Sequence, residues 1–111
     1  MPKFDRVPPL GEVPTLILSA LADADRHGYA IVAEVRAITG GAVSLGTGTL
    51  YGALERLVDA GQVVVAGEET VSGRLRRYYR LTGAGREALV REVDRQEQLA
   101  SAVRVRLAGA T

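Results

Sequence analysis

Residues 46–81 read GTGTLYGALERLVDAGQVVVAGEETVSGRLRRYYRL, and this stretch decides the fold. The part up to Gly61 has apolar residues at three- and four-residue steps, which predicts a helix that the glycine can end: Leu50, Ala53, Leu54, Leu57 and Val58. The segment QVVVAG is apolar and β-branched, EETVSG is turn-like, and RLRRYYRL alternates apolar or aromatic residues with arginines. The sequence therefore predicts one helix followed by two strands, with the connecting loop at EETVSG.

Two helices are predicted before this stretch, after an N-terminal arm. Residues 1–13 contain three prolines and little periodicity, which is typical of an arm. Pro14 suits a first helical position, and the apolar run after it predicts a buried helix that ends near residues 23–26. In HGYAIVAEVRAITGG, one apolar stripe predicts an amphipathic second helix that ends at the glycine pair: Tyr29, Ile31, Val32, Val35 and Ile38.

A last helix is predicted after the second strand. Thr82 can cap it, because its hydroxyl can accept a hydrogen bond from a free amide of the first turn, and the helix can extend as far as Gly109. Residues at alternating four- and three-residue steps form a coiled-coil-like seam with one polar member: Leu89, Val93, Gln96, Ala100, Val103 and Leu107. A second copy of the chain is the simplest cover for that seam, and Leu16 of the first helix is expected to join the interface of this homodimer.

Composition and charge limit the classes of protein that remain. The chain has 111 residues, 47% hydrophobic and 24% charged, as expected for one soluble globular domain, and it has no cysteine for disulfides or thiolate metal sites. No apolar run reaches the roughly 18 residues that span a bilayer, and the start lacks the apolar middle of a signal peptide. We therefore expect no membrane partner and a cytoplasmic location. The net charge is +1, yet four arginines lie between residues 74 and 80 without an acid among them.

The predicted order of helix, helix, helix, strand, arginine-rich turn and strand is that of a winged helix-turn-helix. The fold class is thus mainly α with a small β-hairpin. The blocks LILSALADADRHGYAIVAEV, LGTGTLYGALERLVDAG and RRYYRLTGAGREAL resemble those of the PadR family and cover roughly half of the chain. The chain is accordingly divided into an arm at 1–13, a DNA-binding domain at 14–81 and a dimerisation helix at 82–111. The resemblance implies a dimeric transcriptional regulator, usually a repressor, which in some members is released from DNA by a small aromatic or drug-like molecule.

The third helix supplies the first candidate DNA contacts. In its first turns, short hydroxyls can reach base edges and free backbone amides can face phosphates. The residues at these positions are Thr47, Gly48, Thr49 and Tyr51. The alternative is a plain helix start followed by core packing. The resemblance marks this helix as the one that reads DNA. Gly46, Thr47 and Gly52 stand where that family block usually has serine, proline and proline, which implies a looser start of the helix.

The hairpin supplies the other candidate contacts. The guanidinium groups of Arg74, Arg76 and Arg77 suit phosphates and a narrow minor groove, and the alternative is a solvated cationic turn. Strand alternation places Arg77 and Tyr79 on one face, so Tyr79 or its neighbour Tyr78 is expected to pack against the domain.

Two residues at the start of the second helix have more than one interpretation. The ring of Tyr29 could join the core while its hydroxyl meets a phosphate, or it could serve the core alone. His27 is the only histidine and lacks a partner at any motif spacing, so a structural or phosphate-contact role is favoured over catalysis.

No catalytic constellation is found, and no enzyme activity, cofactor or metal site is predicted. The acid pair Glu68 and Glu69 falls in the predicted turn, where a solvated role is favoured over acid/base chemistry. Two possibilities stay open beside binding of double-stranded DNA. The winged domain could instead bind an acidic protein partner without DNA, and a small apolar or aromatic effector could fill a pocket at the dimer interface.

Overall fold

The computed structural model describes residues 8–109. The described residues form four helices and three strands: α1 (Glu12–Ala20), β1 (Arg26–His27), α2 (Gly28–Ile38), α3 (Thr47–Asp59), β2 (Val63–Val71), β3 (Arg74–Leu81) and α4 (Gly83–Leu107). The strands form one antiparallel sheet in the order β1-β3-β2. The predicted fold class, a winged helix-turn-helix followed by a long helix, is confirmed.

The core lies between α1, α2, α3 and the base of the sheet. Its largest fully buried side chains come from all four of these parts: Ile17, Leu18, Ile31, Val35, Leu54 and Val63. Full burial of an aliphatic side chain of this size stabilises the fold by about 1.5–3 kcal/mol. The helical periodicity of the sequence therefore identifies most of the inward positions, but Ile38 and Val58, which the predicted stripes include, are 49% and 36% exposed.

The first helix begins earlier than predicted. It starts at Glu12, with Gly11 as the residue before it, so Pro14 is its third residue rather than its first. Proline is tolerated there because the amides of the first turn have no acceptor within the helix. The end of the predicted arm is also attached to the domain, since the Leu10 backbone N–H donates to Glu92 Oε1 at 3.0 Å. Residues 1–7 of the arm lie outside the described residues.

The hairpin of β2 and β3, which we call the wing, is longer than predicted. The segment EETVSG is mostly strand, and the turn consists of Ser72 and Gly73 alone, because Val71 pairs with Arg74. Both turn residues have positive φ, 51° and 78°, as a tight two-residue hairpin requires. The prediction of a loop at residues 68–73 is therefore wrong. A ribbon exposed on both faces has no buried side, so the alternation that marks a strand is missing there.

The joint between the wing and α4 is a single residue, Thr82. Its hydroxyl accepts a hydrogen bond from the Gly85 N–H at 3.0 Å, which confirms the predicted cap, and donates to the Gly61 carbonyl at 2.6 Å. The Thr82 N–H also donates to the Gln62 carbonyl, at 3.1 Å. A Cβ on Gly85 would overlap that carbonyl oxygen and lie 2.7 Å from Leu81 Cδ1, so only glycine fits. The start of α4 is therefore fixed against the end of α3 and the sheet.

Beyond this joint α4 runs away from the domain. Its 25 residues span about 37 Å at 1.5 Å per residue. Gly85, Ala88 and Glu92 are buried, whereas residues 99–109 are all exposed. The distal half of α4 thus presents apolar side chains that the described part of the chain does not cover.

Candidate nucleic-acid interface

The first turn of α3 is open to solvent. Gly46 precedes the helix, no side chain within the described residues caps it, and Thr47, Gly48 and Thr49 are exposed. Leu50, in contrast, is 2% exposed and belongs to the core. The hydroxyls and free amides of this turn are therefore available to a ligand, as the sequence predicts.

Tyr51 ties α3 to α2. Its side chain is 46% exposed, and its hydroxyl contacts Gly28, the first residue of α2. A Cβ at Gly28 would overlap that hydroxyl and lie 3.1 Å from Tyr51 Cζ. Glycine at position 28 therefore allows the aromatic ring to lie at the junction of the two helices.

The wing arginines fall into two groups in space. Arg77 is paired with Glu68 on the opposite strand, Nε to Oε2 at 2.8 Å, and this hydrogen bond raises the pKa of Arg77. Within residues 8–109, Arg74 and Arg76 have no acidic partner within ion-pair distance. The idea of four arginines without a neighbouring acid is therefore wrong in space. The cross-strand register, which places Glu68 opposite Arg77, cannot be read from local sequence.

Arg80 is a structural residue at the base of the wing. Its guanidinium binds both carboxylate oxygens of Asp25, at 3.1 and 2.8 Å. Arg26 and Arg86 hold the same loop by donating to the carbonyls of Ala20 and Ala22, at 2.8 and 2.9 Å. Arg26 and Arg86 thus supply hydrogen-bond donors to carbonyl groups at the C-terminal end of α1, whose last turn contains no basic residue.

A cavity of about 340 Å³ lies between the N-terminus of α2, the start of α3 and the wing. Five of the eight predicted DNA-contact residues line it: Tyr29, Tyr51, Arg74, Arg76 and Arg77. The other three, at positions 47–49, occupy the turn of α3 that immediately precedes Tyr51. The structure thus brings the predicted contacts of the helix and of the wing to one face.

The ring of Tyr29 does not join the core, which corrects both interpretations of this residue, since each placed the ring there. The side chain is 78% exposed. The inward face of α2 is set by Ile31 and Val35, and Tyr29 lies about 200° around the helix from Ile31, on the opposite side. Its whole ring is therefore available on the cavity side.

His27 lines this cavity, and its strand β1 pairs with Tyr78 and Tyr79 of β3. Tyr79 is 6% exposed, which confirms the predicted packing. His27 caps α2, with Nδ1 accepting from the Ala30 N–H at 3.4 Å, and its ring meets Tyr78 edge-on with centroids 5.4 Å apart. Burial, and then the nearby charge of Arg76, lower the pKa of His27. The backbone of Arg26 and His27 pairs with β3, a short strand that the sequence analysis missed because two residues carry no periodicity.

The predicted dimer residues are exposed along most of α4. Val93 and Val103 are each 45% exposed and Leu107 is 81% exposed, and Gln96 and Ala100 are also exposed. Leu16 and Leu89 are partly buried against the core of their own chain. The seam is therefore uncovered over its distal part, and its two proximal members are shared with the domain.

Glu92 is a buried carboxylate that the sequence pattern did not single out. It is 3% exposed and is bound by Arg95, Gln96 and the Leu10 N–H. The hydrogen bond from Arg95 contributes most to lowering its pKa from 4.5 to about 2. The spacing of Glu92 to Arg95 and Gln96 is a usual helix pairing, but the tie to Leu10 has no signal in the sequence.

A second cavity, of about 490 Å³, lies beside Glu92. It is lined by residues 8–10, Gln62 and the middle turns of α4, with apolar contributions from Pro9, Leu10 and Ala88 and charged ones from Arg91 and Arg95. Within residues 8–109, no cluster of three or more potential metal-ligating side chains occurs, and none of the helices is long and apolar enough to cross a membrane.

Comparison with known sequences points to one family. The model of the transcriptional regulator PadR-like family matches residues 17–91. An uncharacterized 37.1 kDa protein in transposon TN4556 of Streptomyces fradiae is 48% identical over 79% of this chain, which spans only 24% of that relative. Transcriptional regulator Rv3488 of Mycobacterium tuberculosis is 38% identical over 78% of each chain.

Solved structures share the fold. A PadR family transcription regulator from Clostridium difficile R20291 matches with a TM-score of 0.66 at 30% identity, over 87% of this chain and 97% of that one. Bacillus subtilis PadR in complex with operator DNA matches with a TM-score of 0.62 at 23% identity, over 69% of this chain and 44% of that one.

Proposed function

Because this chain belongs to the PadR-like family of transcriptional regulators, we propose that it binds double-stranded DNA as a homodimer and regulates transcription, as a repressor. Residues 14–81 form the DNA-binding domain, with α3 in the major groove and the wing along the flanking backbone. Dimerisation uses α4 (Gly83–Leu107), within the predicted segment 82–111. Since such a regulator works on the chromosome, we place the protein in the cytoplasm.

The observation that carries the proposal is the shared face of α3 and the wing. Arg74 and Arg76, which have no acidic partner among residues 8–109, line the same cavity as Tyr29 and Tyr51, next to the open first turn of α3. Guanidinium groups supply affinity for phosphates, and exposed hydroxyls at a helix start supply contacts to base edges. Bacillus subtilis PadR, which shares this fold, forms a complex with operator DNA, and this supports DNA as the ligand.

Selection from a random duplex pool at two salt concentrations tests this function. We expect a palindrome to be enriched, because a two-fold dimer places two equivalent helices about 34 Å apart, and we expect its binding to weaken with salt. The double variant Thr47→Ala, Thr49→Ala should lose the sequence preference while keeping salt-dependent binding, and Ser101→Ala on α4 is the matched control. Absence of duplex binding at low salt contradicts the proposal and favours a protein partner.

The homodimer is supported by the uncovered seam of α4. Val103 lies on the seam, whereas Val105, two residues later, lies on the opposite side of the helix, and both are exposed. Val103→Glu should shift the protein to a monomer in light scattering after gel filtration, while Val105→Glu should leave the dimer intact. A monomeric wild type, or equal effects of the two variants, contradicts this interface.

We extend the proposal to release of DNA by a small apolar or aromatic effector. The cavity beside Glu92 supports it, because it combines apolar residues with charged ones at its edge and touches both the arm and α4. The chain has no tryptophan, so Gln98→Trp at this cavity gives a specific fluorescence reporter. Aromatic compounds that release duplex DNA should quench that emission, and release without quenching places the effector elsewhere.

A further inference from the structure

The cavity between α2, α3 and the wing has a size and a positively charged lining that suit an anion. Its volume of about 340 Å³ leaves room for a phosphate group with its waters. Arg74 and Arg76 line it from β3, and Tyr29 and Tyr51 line it from α2 and α3 with hydroxyls that can donate. Arg77 also lines it but is engaged by Glu68.

His27 completes the wall of this cavity. Its Nδ1 accepts the capping hydrogen bond from Ala30, which places the proton of the neutral ring on Nε2. Among residues 8–109, Nε2 has no hydrogen-bond partner. The capping distance of 3.4 Å is long, so little is lost when Nδ1 also takes up a proton and the cap is broken.

The charges around His27 decide when it takes up that proton. Burial and the Arg76 guanidinium lower the pKa of His27, and the Glu69 carboxylate opposes them more weakly. Glu69 is already occupied by the Tyr78 hydroxyl, which donates to it at 2.5 Å. The titratable and charged groups that face the ring or share its cavity are Tyr29 from α2, Tyr51 from α3, Glu69 from β2, and Arg74, Arg76, Arg77 and Tyr78 from β3.

We propose that this cavity binds one backbone phosphate of the duplex and that His27 takes up a proton when the phosphate binds. This inference rests on the proposed DNA binding. The phosphate neutralises Arg76, the neighbour that disfavours a charged ring, and accepts a hydrogen bond from Nε2. The imidazolium then adds a third cation to the two free arginines, so binding becomes tighter as the pH falls.

The sign and the pH window follow from linkage. His27 titrates below its usual 6.5 in the free protein and at a higher pH in the complex. Affinity therefore rises as the pH falls through the pKa of His27 in the complex, and it levels off once the pH is below the pKa of His27 in the free protein. Each unit of separation between the two pKa values corresponds to about a tenfold change in Kd. Because the chain has one histidine and no cysteine, few other groups titrate in this range.

The matched variant is His27→Asn, because asparagine caps a helix well and does not titrate. Kd for a selected duplex is measured at pH 8 and pH 6 at constant ionic strength. At pH 8 the variant and the wild type should bind alike, and at pH 6 the wild type should bind about tenfold more tightly. If His27 has only a structural role, the variant should bind the duplex more weakly than the wild type by the same factor at both pH values. That result would overturn the inference.

Two further measurements do not depend on the variant. The single histidine gives one ring Cε1–H resonance, whose pKa should rise on addition of duplex. A methylphosphonate linkage removes the charge of one phosphate. When one phosphate is replaced at the same position in both half-sites, and the position is varied from duplex to duplex, one position should abolish the pH effect. A resonance that does not move, or a pH effect that survives every substitution, overturns the inference and leaves the DNA-binding function standing. Absence of duplex binding at both pH values would instead contradict the proposed function.

Discussion

Glu68→Gln should make the protein bind DNA more tightly, because it releases an arginine at the wing. In the wild type the Arg77 guanidinium is held 2.8 Å from the Glu68 carboxylate, and both side chains are about half exposed. An exposed pair of this kind contributes little to stability, so the wing should stay folded. The substitution frees one cation for a phosphate and removes one negative charge from the DNA-facing side.

The magnitude follows from counterion release. One additional phosphate contact steepens the slope of log K against log salt by about 0.9, so lowering the salt fourfold, from 200 to 50 mM, yields about 3.5-fold more gain in the variant than in the wild type. Fluorescence anisotropy of a labelled duplex over that range measures the slope. Glu87→Gln, an exposed acid on α4 outside the seam, is the charge-matched control. An unchanged slope, or weaker binding, would refute the idea that Glu68 withholds Arg77 from DNA.

Three other substitutions test separate parts of the structure. Arg74→Ala should weaken binding to operator and scrambled duplexes alike and lower the salt slope by about 0.9, and a loss confined to the operator would show that this arginine reads bases. Gly85→Ala should destabilise the fold by about 1–3 kcal/mol in urea unfolding, because the new methyl group meets the Gln62 carbonyl, and an unchanged midpoint would contradict that packing. Glu92 has a pKa of about 2 in the folded chain, so its contribution to stability is full above about 4.5 and is lost as the pH falls towards 2. In Glu92→Gln the free energy of unfolding should therefore depend less on pH in this window. An equally steep loss of stability in acid in the variant would show that other carboxylates are responsible.

The helices and the buried residues could be predicted from the sequence because helical periodicity is local. Leu50, Leu54 and Leu57 recur at helical spacing, and all three are buried in the structure. The Thr82 cap was also predictable, since it depends on residues only three positions apart. The seam of α4 stays a prediction, because it concerns a second chain.

The pairings across the sheet could not be predicted, because they depend on register. Glu68 and Arg77 are nine residues apart and meet only when the turn is placed at Ser72 and Gly73. When the turn is instead predicted at Glu68 and Glu69, no acid lies opposite the arginines. The prediction then overstates the number of unpaired positive charges on the wing. The exposure of Tyr29 was missed because the predicted stripe joined Tyr29 to Ile31, although a step of two residues rotates a side chain by about 200° to the opposite side of a helix.

The one-residue joint at Thr82 has a mechanical consequence for operator choice. A hinge needs torsional freedom, and this joint has none, because Thr82 is bonded to Gly61, Gln62 and Gly85 at once. A dimer built on such joints holds its two recognition helices at a fixed distance and orientation. Adding one base pair between half-sites rotates the second major groove by about 35° as well as moving it, and the rigid dimer cannot twist to follow it. Spacing between half-sites should therefore be as strictly selected as the bases themselves.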